Sequence, residues 1–159
     1  MRTLILALLL SLVRIAHADD ASDERAIWQA VLTVRLYDAN KACGTKLTVT
    51  WDWDSDDGNA VNRGVGPTMC SLALKGIADV CATPKKAALA KKLKAVSCRF
   101  DAAVTKKKST KTGAALVPLG TPPLPHLWLE ITGGTLAVVF DWGTVDLQTP
   151  TREFLPKHL

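Results

Sequence analysis

Histidine is scarce in this sequence, with three among 159 residues. His17 lies near the amino terminus, His126 stands among prolines, and His158 is next to the last residue. No G-x-S-x-G or H-E-x-x-H stretch occurs, so neither the nucleophile elbow of a hydrolase nor the helical zinc motif of a metalloprotease is present. No C-x-x-C pair exists, and no histidine stands near the cysteines, which leaves little basis for a zinc site. Beyond residue 18 no apolar run approaches the roughly 20 residues that a membrane span needs. Charge of one sign is modest too. The chain has 20 Lys and Arg against 15 Asp and Glu. Without Arg2 and Arg14 the surplus shrinks to three cations, which does not argue for nucleic acid as a partner.

What is present starts with the amino terminus. Arg2 precedes an apolar run from Leu4 to Val13, followed by the small residues Ala16 and Ala18 and then by Asp19 and Asp20. A charged start, an apolar middle and a small-residue cleavage site form the pattern of an export signal. Residues 1–18 are therefore expected to be a signal peptide and 19–159 a single secreted or periplasmic domain without a transmembrane segment. Four cysteines, Cys43, Cys70, Cys81 and Cys98, all fall in that domain. An even count in an oxidising compartment implies two disulfides.

The pairing can be narrowed. Cys70, Leu74, Ile77 and Cys81 recur at helical spacing, and Pro67 suits the first turn of that helix. Its two cysteines would lie about 16 Å apart along the axis, beyond the ~7 Å between Cα atoms that a bridge tolerates. Two connectivities remain. A compact up-and-down course favours Cys43–Cys81 with Cys70–Cys98.

The expected fold is α+β: a small, mainly antiparallel sheet of about four strands packed with two or three helices and two disulfides. Ser22, Asp23 and Glu24 suit a helix start. The polar stripe of the helix that follows is narrow (Gln29, Thr33, Asn40), so the domain should wrap it on more than one side. Gly44 should end it. Residues 46–53 alternate as a strand, with Leu47, Val49, Trp51 and Trp53 on one face. Pro84 should open a third helix whose buried stripe is Leu89, Leu93 and Val96, and Cys98, Phe100 and Ala102 should form a short strand. The segments 127–132 and 135–142 read as a hairpin joined by Gly133 and Gly134. A last helix is expected within 149–159. The stretch from Leu47 to Trp53 also echoes that from Leu136 to Trp142, as two strands in similar surroundings would.

Three side-chain groups are candidates for function. Asp52, Asp54 and Asp56 resemble the start of a calcium loop, but Asp57 stands where the bend glycine belongs and Arg63 where the closing Glu belongs. A polar turn is the competing reading. Lys85 and Lys86 on the third helix, with Lys106, Lys107, Lys108 and Lys111 in the loop after it, would form an anion-binding surface if they converge. No aromatic residues interleave with them to stack on bases. Trp53 and Trp142, at strand ends, are candidate partner contacts.

No cofactor is expected. The expected function is that of a secreted, non-catalytic binding protein, such as an inhibitor or an anionic-surface binder, whose partner is an extracellular or periplasmic protein or an anionic surface. The alternative is a secreted hydrolase or calcium-dependent module using the aspartates around 52–57.

Overall fold

The computed structural model describes residues 2–55, 65–104, 114–118, 126–141 and 146–159, with backbone alone for 2–22, 114–118 and 126. Helix α1 runs from Arg2 to Cys43 without a break. It passes straight through the helix start expected at Ser22. Nothing between Arg2 and Cys43 is glycine or proline, and alanines flank the expected start, so no residue there interrupts the ladder. Gly44, at φ +68°, ends it. The Asn40 side chain then holds the turn into the first strand. Its Oδ1 accepts from the Leu47 N–H at 2.6 Å and the Thr45 hydroxyl at 2.9 Å, and its Nδ2 donates to the Leu47 carbonyl.

The remaining elements follow in order. Strand β1 is Thr48–Trp51, helix α2 Val65–Cys81, helix α3 Lys86–Lys92, strand β2 Ala95–Phe100, strand β3 Ala114–Pro118, strand β4 His126–Thr132, strand β5 Thr135–Phe140 and helix α4 Gln148–His158. The five strands form one sheet in the order β1-β2-β5-β4-β3. The pairs β1–β2 and β2–β5 are parallel, and β5–β4 and β4–β3 are antiparallel. The class is α+β, but the sheet is mixed rather than mainly antiparallel. The cause is the crossover through α2 and α3, which returns the chain to start β2 beside the start of β1.

Residue parity sorts the sheet into two faces. Val49, Trp51, Val96, Cys98, Leu127, Leu129, Leu136, Val138 and Phe140 join one core with Leu32, Leu74, Ile77, Leu89 and Leu155 from the helices. The helices thus cover one face. On the other, Val104, Trp128 and Val139 form a small separate cluster. The β4–β5 turn needs positive φ at both central positions, and Gly133 (+59°) and Gly134 (+84°) supply it.

Two close approaches set the helix layer. A methyl on Gly66 would overlap the Trp51 indole, and one on Gly76 would lie 2.5 Å from the Gln148 carbonyl oxygen. Helix α4 is further tied down at its start. Asp146 Oδ1 accepts from the Gln148 and Thr149 N–H groups, and Gln148 Nε2 donates to Asp79 on α2 at 2.8 Å.

Both disulfides form, Cys43–Cys81 and Cys70–Cys98, with Cα separations of 5.0 and 5.9 Å. The first joins the carboxyl ends of α1 and α2. The second joins α2 to the middle of β2.

Other expectations need correcting. Strand β1 stops at Trp51 and Trp53 opens a single 3-10 turn, while β2 stops at Phe100, before Ala102. Val96 belongs to β2, because α3 ends at Lys92 and Leu93 is already extended. Helix α1 is not wrapped: Leu32, Ala39 and Cys43 are buried, while Ile27, Val34 and Tyr37 are 61, 59 and 65% exposed. A helix at the edge of a layer buries one stripe only. No helix among the described residues is long and apolar enough to cross a membrane.

Candidate functional site

The mixed topology gives the molecule two chemically different ends. Strands β1, β2 and β5 run in one direction, so their starts gather at one end and their finishes at the other.

At the finishing end each of the three strands is followed by an aspartate: Asp52, Asp101 and Asp141. The side chains of two of them shape turns. Asp52 Oδ1 accepts the Asp54 N–H at 3.1 Å, and Asp101 Oδ1 accepts the Ala103 N–H at 2.9 Å. Asp101 also pairs with Arg99 at 3.5 Å. The Ser55 hydroxyl donates to the Asp52 carbonyl and accepts from the Phe100 N–H, which stitches the turn after β1 to the end of β2. Asp54 is exposed on that turn, and Asp56 lies outside the described residues. Asp52 and Asp141 stand two strands apart and are staggered along the sheet, which puts their Cα atoms roughly 12 Å apart. Among the described residues no group of three or more acidic, histidine or cysteine side chains is placed to hold a metal ion.

Trp53 sits beside this turn. Its ring meets the edge of Trp51 at 6.4 Å between centroids, and the Arg25 guanidinium lies 5.5 Å above it. The residue is half-buried between the core and α1 rather than presented outward. Trp142 lies outside the described residues.

The starting end is basic. Lys46 precedes β1, Lys85 and Lys86 begin α3, Lys91 and Lys92 end it, and Lys94 leads into β2. All six are exposed. The backbone fixes the last of them: the Thr48 N–H donates to the Lys94 carbonyl and the Lys94 N–H to the Gly134 carbonyl, so the chain leaving α3 runs between the starts of β1 and β5. The ion pairs present among the described residues are Arg35–Asp38 and Arg99–Asp101, and none involves these lysines. Helix C-termini attract cations, which accounts for Lys91 and Lys92. It does not account for Lys85 and Lys86, which stand at the positive end of α3. Lys85 and Lys86 follow Cys81, whose bridge to Cys43 ties the end of α2 to the turn that carries Lys46, so they belong to the same end of the molecule as Lys46 and Lys94. Lys106, Lys107, Lys108 and Lys111 lie outside the described residues. Lys46 escaped notice in the sequence because it is isolated there, and only the crossover returns α3 to its side.

Comparison with known proteins supplies no further identification: no family model, curated protein or solved structure matches this chain.

Proposed function

We propose that the protein is a non-catalytic binding domain acting outside the cytoplasm, and that its lysine-bearing end docks on a polyanionic surface. One observation carries this reading: six exposed lysines without ion-pair partners gathered at one end of the sheet. Lysine is a compact, hydrated point charge on a flexible stem. A set of such charges without aromatic neighbours suits a dense field of phosphates or carboxylates better than one precisely held ligand. The two disulfides and the amino-terminal export pattern fit a location beyond the cytoplasm.

The test is flotation of the protein with vesicles of neutral phospholipid, with and without an anionic phospholipid, alongside elution from a heparin column. Each basic residue at an anionic surface contributes about 1 kcal/mol. Replacing Lys85, Lys86 and Lys91 together by Gln should therefore weaken binding about 100-fold. Raising the salt should release the protein. Retention on heparin without vesicle binding would assign the anion to a polysaccharide. Equal binding to neutral and anionic vesicles with no retention on heparin, or no effect of the triple substitution, would sink the proposal.

A further inference from the structure

Helix α1 carries a second apolar face, opposite the one that packs on the core. Leu32, Ala39 and Cys43 point inward. At about 100° per residue, Ile27, Ala30, Val34 and Tyr37 line the other side, and an open groove of about 550 Å³ runs over Ile27, Ala30, Val31, Val34 and Arg35. Ile27, Val34 and Tyr37 are the large hydrophobic residues most exposed among the described residues. Nothing in the core requires them.

The charges along this face are arranged in a particular way. Asp23 and Lys41 are five helical turns apart, so both lie on the line of the exposed face, one at each end. Both are exposed. The pattern is self-complementary when reversed. With a two-fold axis at the level of residue 32, Asp23 of one helix meets Lys41 of the other. Ile27 then meets Tyr37, Ala30 meets Val34, and every contact occurs twice. Small residues stand opposite larger ones, as packing between facing helices requires. The other charges of the helix do not oppose this. Arg35 and Asp38 neutralise each other within the chain at 3.7 Å, and Arg25 is turned onto Trp53. Among the described residues no like charges fall at matched positions across the axis, and Glu24 falls opposite Asn40.

We infer that the outer face of α1 is the interface of an antiparallel two-fold dimer, sealed at both ends by Asp23–Lys41 ion pairs. The occupant of the groove is a second copy of this chain. The strip is short: about 27 Å long and about 10 Å wide. It buries far less than the ~800 Å² per partner of a standard interface. The dimer is thus a weak one, populated where the protein collects at high local concentration. This inference is independent of the lysine end, since Lys46 and the α3 lysines take no part in it.

The experiment is analytical ultracentrifugation of the protein as its producing cell releases it, from about 10 μM to about 1 mM, the range in which an interface well below standard size would show. The weight-average mass should rise from monomer towards dimer. Val34→Asp should hold it at monomer without changing the melting temperature, because Val34 is exposed. Ile27→Gln replaces it should Val34→Asp fail to fold. Asp23→Lys and Lys41→Asp should each weaken association at least tenfold at low salt, since each sets like charges opposite each other twice. The double exchange should recover the wild-type Kd to within about threefold, because it only reverses each pair. A monomer at every concentration, association that survives Val34→Asp and Ile27→Gln, or a double exchange as weak as either single one would each overturn the assignment.

Discussion

Trp51 and Phe140 stack with ring centroids 5.8 Å apart and planes 30° from parallel, although β2 lies between their strands. The two residues occupy equivalent places in the echoing stretches 47–53 and 136–142. The echo has a physical basis. Strands β1 and β5 run in the same direction on either side of β2 and show the same face to the helices, so both need large apolar residues near their carboxyl ends. Gly66 closes the site from α2.

The first prediction concerns that closure. A methyl at position 66 has no room against the indole, so Gly66→Ala should destabilise the protein by about 1–3 kcal/mol in urea denaturation. Trp51 Nε1 is buried without a hydrogen-bond partner. Trp51→Phe removes that orphaned donor while shrinking the ring, and its own cost should be below about 1.5 kcal/mol. In the Trp51→Phe background the cost of Gly66→Ala should fall by at least ~1 kcal/mol. Additive costs would show that the glycine is not there for the indole.

Much of this architecture is legible before folding. The face of β1, the double-glycine hairpin and the helical spacing of Cys70, Leu74, Ile77 and Cys81 are local patterns, and each appears where its period places it. Strand direction is not local. The alternation of β1 and β5 is the same whether a neighbour runs parallel or antiparallel, so the mixed sheet waits on the crossover through α2 and α3. Strand β3, a short edge strand ending in Pro118, carries too brief an alternation to stand out from the prolines that follow. The apolar excess of α1 was legible, but its meaning was not. Composition cannot say whether an extra apolar face meets the chain's own core or faces outward. For the same reason Lys46 joins Lys85 and Lys86 only in three dimensions.

The second prediction concerns a buried hydroxyl. Thr151 is fully buried, and its Oγ1 has no hydrogen-bond partner. It packs where α4 crosses α2 at Gly76. Replacing the hydroxyl by a methyl keeps the shape and removes the desolvation cost. Thr151→Val should therefore raise stability by about 1 kcal/mol. Thr151→Ser keeps the orphan and loses a methyl, and should lower stability by a similar amount. A melting temperature that falls for both variants would mean that the hydroxyl is satisfied in solution.

The third prediction separates the turn from a calcium site. Asp52 accepts a backbone N–H through one oxygen. Asn keeps that oxygen as an acceptor, so Asp52→Asn should leave the melting temperature nearly unchanged, whereas Asp52→Ala should cost about 1 kcal/mol. Millimolar calcium should shift the melting temperature of none of the three proteins. A clear rise with calcium in the wild type, abolished by Asp52→Asn, would favour the metal reading over the polar turn.

The fourth prediction turns on where the two bridges sit. Their sequence separations, 38 and 28 residues, are close enough that loop entropy assigns each about 3.5–4 kcal/mol. A difference between them must therefore come from packing. Cys70 and Cys98 are both fully buried where the helix layer meets β2, an inner strand of the sheet, while Cys43 and Cys81 close the end of an edge helix. Without the first pair the whole core loses its fastening between layers. Without the second, α1 alone is loosened, held by Leu32, Leu36 and Ala39. Cys43→Ala with Cys81→Ala should thus leave a folded sheet whose hydrogen exchange quickens mainly in residues 23–43. Cys70→Ala with Cys98→Ala should lower the global stability and quicken exchange throughout. Mild reductant should open Cys43–Cys81 first, since a thiolate must reach the sulfur it attacks. If the Cys70–Cys98 bond opens first, or both double variants exchange alike, the helix layer is not held in the way these contacts imply.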